Sequence, residues 1–194
     1  MTKRELVISD GENFVDDDML KETILAEVTS MGILGKKSNK VTTQWLSHDD
    51  REYCFSESQR FKHPPKPLKE YPGICKLLDL VNAHPSTTHN LDSALVMGYN
   101  HTESSLNFHH DGEKLIDQTG SIAVVSYGPS VRCMEFCHQG GPRVPEFSFH
   151  VKEGDLAVMK PGCQQTLLHR ICSGSKEQSV SSSSDKSWRF SIRL

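Results

Sequence analysis

The chain has 194 residues, 36% of them hydrophobic and 24% charged, with a net charge of −3. That length buries the core of one domain, the mildly acidic balance gives no global basic signature for nucleic acid, and no apolar run approaches the ~20 residues that cross a bilayer. Six cysteines are too sparse for a disulfide scaffold, so they read as free thiols of a monomer in a reducing, intracellular compartment, cytoplasmic or nuclear. Met1-Thr2-Lys3-Arg4-Glu5 leads into no apolar stretch, so no secretory signal is expected.

A helix is predicted over 13–31. Asp16, Asp17 and Asp18 supply its N-cap and first-turn charge, Leu20, Ile24, Leu25 and Val28 recur at helical spacing, and Gly32 and Gly35 end it. Strand-like pieces follow at Val41–Leu46 and Tyr53–Phe55. His63-Pro64-Pro65-Lys66-Pro67 is expected to be an extended surface loop, because its prolines remove donors and fix φ. A second helix is predicted over roughly 73–83, with Ile74, Leu77, Leu78 and Val81 on one face. Two basic stretches (Lys36, Lys37, Lys40; Arg60, Lys62, Lys66, Lys69) are either local nucleic-acid patches or solvated surface.

From about residue 91 the pattern changes to short β segments separated by Gly, Pro and polar turns. They are Leu91–Tyr99, Leu106–His109, Ile122–Tyr127, Arg132–Cys137, Glu146–Val151, Leu156–Met159, Thr166–Ile171 and Trp188–Leu194. Two helices followed by such a series predict an α+β chain with a jelly-roll core in a single domain, 1–194. The Ser-rich residues 173–187 read as a flexible loop between strands. Cys133, Cys137 and His138 could be imagined as a zinc cluster, but no second Cys pair accompanies them, and structural thiols are expected.

The chemistry lies in His109-His110-Asp111, with His169 and Arg189-Phe190-Ser191-Ile192-Arg193 downstream. Two His and one carboxylate on one face leave open positions on Fe(II), which suits O₂ chemistry with a chelating co-substrate. His-x-Asp is weak alone, and His48-Asp49-Asp50 also fits it. His48 sits in a polar turn, whereas His109 ends an alternating segment that projects His109 and Asp111 to one side. His110 then points away. Arg189, Ser191 and Arg193 share a strand face, where two arginines repel unless an anion such as a dicarboxylate sits between them.

At these residues the chain resembles the AlkB family of Fe(II)/2-oxoglutarate-dependent dioxygenases, from about Tyr53 to Leu194. Tyr53-Cys54-Phe55-Ser56 with the prolines after it resembles the family's nucleotide-recognition lid. Leu95-Val96-Met97-Gly98-Tyr99 resembles its co-substrate strand. Leu106 to Glu113 resembles the metal-binding segment, Ser121 to Arg132 the next strand pair, Gly154-Asp155 to His169 the distal-His segment, and Arg189 to Arg193 the arginine strand. The resemblance implies a double-stranded β-helix core (about 91–194) behind N-terminal helices and a lid (about 1–90). It implies Fe(II) on His109, Asp111 and His169, 2-oxoglutarate on Tyr99, Arg189, Ser191 and Arg193, and O₂ as oxidant. Glu113, Tyr53, Phe55 and Arg132 would meet the substrate, a methylated base in RNA or single-stranded DNA that is oxidatively N-demethylated with release of formaldehyde.

Two features depart from the family pattern. Met97 stands where an amide donor to the co-substrate is usual, and the two arginines are four residues apart instead of six: either Arg189 is the first of the pair and the second lies beyond Leu194, or Arg193 is the second and Ser187 replaces the first, with the aromatic-flanked Arg189 preferred as the carboxylate clamp. The chain ends one residue after Arg193, as expected of a domain cut from a longer protein such as a viral or retroelement polyprotein. The alternatives are a 2-oxoglutarate dioxygenase acting on a protein or small molecule, and a degenerate domain that binds nucleic acid or a partner without catalysis.

Overall fold

The computed structural model describes residues 7–10, 14–34, 41–49, 51–54, 62–100, 104–112, 116–117, 119–172 and 189–194. Glu113, Phe55, Phe61, Trp188, Gly35, Lys36, Lys37, Lys40, Arg60 and the 173–187 loop lie outside these residues, and the side chain of Lys62 is not among the described ones.

The strands are β1 (Val7–Asp10), β2 (Thr42–Ser47), β3 (Tyr53–Cys54), β4 (Lys62–His63), β5 (Lys66–Pro67), β6 (Ser93–Tyr99), β7 (Leu106–His109), β8 (Ile122–Tyr127), β9 (Arg132–His138), β10 (Phe147–Val151), β11 (Leu156–Met159), β12 (Leu167–Ile171) and β13 (Arg189–Arg193). The helices are α1 (Asp18–Ser30), α2 (Pro72–Asn82) and α3 (Cys163–Thr166). The larger sheet runs β1-β11-β8-β13-β6-β2-β5 and the smaller one β10-β9-β12-β7, with β3-β4 as a separate pair. Apart from the β2–β5 edge, the ladders are antiparallel. This is the double-stranded β-helix that the strand series predicts.

The larger sheet is covered on both faces, which is why its strands read as near-continuous apolar runs. Phe190 and Ile192 of β13 join Ala94, Val96, Ala123 and Val125 against Ile24, Val28, Leu77 and Val81 of the two helices. Burying a side chain of the Phe190 or Ile192 kind stabilises by about 1.5–3 kcal/mol. The alternate residues, Arg189, Ser191 and Arg193, are therefore turned to the inner face, toward the smaller sheet.

The helix α1 begins at Asp18, later than the sequence predicts, because Asp17 is the N-cap and accepts from Leu20 N at 3.1 Å. Gly32, at φ 67°, ends it in the left-handed conformation that a side chain resists. No side chain of its own caps α2; the Glu27 carboxylate does so from α1, accepting from Gly73 N at 2.7 Å and Ile74 N at 3.0 Å. The proline stretch is not loop throughout. Pro67 lies in β5, at the sheet edge, where a missing N–H costs nothing.

Candidate metal and co-substrate site

His109 ends β7 and His169 lies in β12, and the two are direct register partners across the ladder. Their ring centroids are 4.3 Å apart. Asp111 follows two residues after His109 and places its carboxylate between them. Its Oδ1 is 3.7 Å from His109 Nε2 and its Oδ2 is 3.5 Å from His169 Nε2. One ligand atom from each of the three lies within 4.8 Å of the others. Cis ligands on an octahedral ion stand about 3 Å apart, so small side-chain adjustments close this set on one metal. A bulge between His169 and Ile171 shifts the β12–β7 register beside the site.

The surroundings fix the ligand states. His109 Nδ1 lies 2.7 Å from Asn107 O, which leaves Nε2 for an ion. Burial pushes His169 down to about 3 against the pull of Asp111, so the ring is neutral and can ligate. Burial works to raise Asp111, but the Arg193 guanidinium beside it outweighs that and holds the carboxyl below its usual range. Gln164 in α3 accepts from Asp111 N at 2.8 Å, and its own amide reaches Met159 Sδ at 3.3 Å.

The two arginines of β13 separate in role. Arg193 donates to Asp111 Oδ1 and to the Tyr53 hydroxyl. Its countercharge within the chain is thus Asp111, and its side chain also lines the cavity beside the His–Asp–His group. Arg189 is 2% exposed and donates through Nη1 to Ser130 O at 3.1 Å and Val151 O at 2.7 Å. No described carboxylate pairs with it. Burial pushes it down to about 10, and Arg132 pushes the same way.

Arg189 and Tyr99 are register partners, and Ser191 lies next along the same face. The buried Tyr99 hydroxyl has no hydrogen-bond partner of good geometry among the described residues, with Ser191 nearest in kind. Burial pushes that phenol up, so it keeps its proton and can donate. Arg132, 1% exposed, sits 6.0 Å over the Tyr99 ring and donates to the Ser104 and Cys172 carbonyls. It is thus buried against Tyr99.

A cavity of about 60 Å³ lies beside the His–Asp–His group, lined by Tyr99, Met97, His109, Asp111, His169, Ser191 and Arg193 among others; Arg189 and Arg132 are not in its lining. Met97 contributes apolar floor to it. Arg193 also borders a wider cleft of about 260 Å³ that carries Trp45, His89, Asp92, Ile116 and Asp117. Tyr53 is fully covered, its ring 4.9 Å from Trp45 and tilted by 33°. It is therefore not an open stacking face. Trp45 escapes a sequence reading because nothing but its strand position marks it. His110 is exposed. Of the competing His48-Asp49-Asp50 motif, Asp50 lies outside the described residues; His48 is exposed, and Asp49 beside it accepts from Ser47 Oγ at 2.8 Å and binds Arg51 at 2.6 Å.

The chain from residue 23 to residue 194 matches the family model of the 2OG-Fe(II) oxygenase superfamily. The chain belongs to that superfamily. It is an Fe(II)- and 2-oxoglutarate-dependent dioxygenase, with O₂ as oxidant. Its fold is shared by the solved structure of OsALKBH1, with a TM-score of 0.59 over 96% of this chain and 95% of that one, at 13% identity. The AlkB likeness is carried at the level of fold. No curated protein matches the chain significantly. The residues fit the cofactors of an oxygenase: an N, N, O donor set, a buried phenol beside Ser191, and a buried arginine that pairs with no described carboxylate. No helix among the described residues is long and apolar enough to cross a membrane.

Proposed function

We propose that this oxygenase removes N-methyl groups from nucleobases in RNA or single-stranded DNA. His109, Asp111 and His169 hold Fe(II) in this reading, and Arg189, Tyr99 and Ser191 receive the far carboxylate of 2-oxoglutarate. Arg193 acts on the metal side, by neutralising and orienting Asp111. Bound there, iron with 2-oxoglutarate and O₂ supplies the oxidation of a methyl C–H; the N-hydroxymethyl base then releases formaldehyde.

The observation that carries the reading is the wide cleft beside the His–Asp–His cavity, which meets it at Arg193. Trp45 gives its lining an aromatic wall, and Asp92 and Asp117 are balanced there by Arg51, which pairs with Asp92 at 3.0 Å, and by Arg193. An aromatic wall can take the face of any nucleobase. The base reaches such a site only flipped out or already unpaired. The OsALKBH1-like fold supports the same assignment.

The test is turnover with Fe(II), 2-oxoglutarate and O₂ against methylated oligonucleotides and methylated peptides. Formaldehyde and succinate from the oligonucleotides are expected. A second reading, action on a protein or small molecule, draws on the covered Tyr53 ring, which offers no stacking surface to a base. Turnover of peptides with none of any methylated RNA or DNA would establish it and overturn the first.

A further inference from the structure

A second group of ligating side chains gathers on the outer face of the smaller sheet. Met134 and Phe136 of β9 pack inward, so Cys133 and Glu135 point outward. Cys172 follows β12, and its N–H donates to Cys133 O at 2.9 Å, which extends the Ile171↔Met134 register by one residue. Cys133 Sγ, a Glu135 oxygen and Cys172 Sγ all lie within 4.8 Å of one another, and all three residues are half-buried. On the other side of Cys133, β10 brings His150 as its direct register partner, exposed and on the same face.

We propose that Cys133, Glu135, Cys172 and His150 form a binding site for a soft divalent cation of the Zn²⁺ class, separate from the iron centre. Two thiolates, an imidazole and a carboxylate match the donor preference and tetrahedral geometry of zinc. Ligands on such an ion stand roughly 3.3–3.8 Å apart, so the three clustered atoms need only a small closing movement. Opposed residues of an antiparallel pair have Cβ atoms about 4.5–5.5 Å apart, which brings His150 within reach of the fourth position.

Charge supports the assignment. Two thiolates and a carboxylate carry three negative charges, and Arg170 supplies one positive charge, with Nε and Nη2 each 2.6 Å from Glu135 Oε2. A divalent cation brings the group to neutrality. Burial, with Glu135 and Cys133 beside it, pushes the Cys172 thiol up to about 11, so binding replaces a proton that the cluster otherwise retains. The ion ties β9 to the strand that bears His169. The Cys172 carbonyl also accepts from Arg132, which sits over Tyr99. Cys137 is buried on its own, so the sequence trio of Cys133, Cys137 and His138 is not the grouping that forms.

The test is a Co²⁺ titration of the reduced full chain, followed by thiolate-to-cobalt charge-transfer absorption and by displacement with Zn²⁺. The band is expected to saturate with one equivalent and to vanish on adding Zn²⁺. It should be lost in C133S and in C172S and retained in H169A, because the His–Asp–His cluster has no sulfur. H150A should keep the band and bind more weakly. A reduced wild-type chain without the band, a band that survives either serine variant, a band lost in H169A, or unchanged affinity in H150A would overturn the assignment. So would a Cys133–Cys172 disulfide in a chain purified with Zn²⁺ present throughout.

Discussion

Arg193 and Asp111 form a buried ion pair in which an arginine of the last strand holds the carboxylate set between His109 and His169. Breaking a buried pair by removing one partner costs about 3–5 kcal/mol. Asp111→Ala should therefore lose both iron affinity and that much stability. His109→Ala, at a side chain 36% exposed, should lose iron affinity with little loss of stability. Chemical denaturation of both metal-free variants beside an iron titration checks the contrast.

Of the two β13 arginines, Arg189 is the one without a described carboxylate partner. Replacing it with Met removes charged hydrogen bonds worth roughly 1.5–3 kcal/mol to a bound dicarboxylate, so KM for 2-oxoglutarate should rise about 10- to 150-fold. Arg193→Met should instead weaken iron binding, since its donors go to Asp111 and Tyr53. Steady-state kinetics in 2-oxoglutarate and anaerobic iron titrations separate the two roles; equal effects on both readouts would refute the division.

Gln164 positions Asp111 through its backbone. Gln164→Leu leaves the Asp111 N–H without that acceptor, at a cost of about 1–3 kcal/mol. Iron affinity should fall about 10- to 100-fold, as for other groups that orient a metal ligand. Isothermal titration under anaerobic conditions measures it.

Gly98 carries the approach of β6 to the end of α1. A Cβ there would stand 2.4 Å from Ile33 Cγ2 and 3.0 Å from the Ile33 carbonyl. Gly98→Ala should cost about 1–3 kcal/mol through overpacking, read as a lower denaturation midpoint.

The strands were legible wherever alternation or an apolar run was long. Leu106–His109, Ile122–Tyr127 and Leu156–Met159 have the predicted bounds. The one-face rule also placed Arg189, Ser191 and Arg193 together. Short elements left no periodicity to read, so β1 and the four-residue α3 escaped, and α3 carries Gln164. Pairings between distant segments were equally hidden. Arg193 with Asp111, Tyr53 under Trp45, and Cys133 beside Cys172 arise from sheet register, which single-strand patterns do not encode.

The most direct test of the central claim is formaldehyde release from a methylated single-stranded oligonucleotide by the wild-type chain and by His169→Ala, each supplied with Fe(II), 2-oxoglutarate and O₂. The account predicts release matched by succinate in the wild type and none in the variant. Equal release by both, or none from any methylated nucleic acid alongside turnover of another substrate, would contradict it.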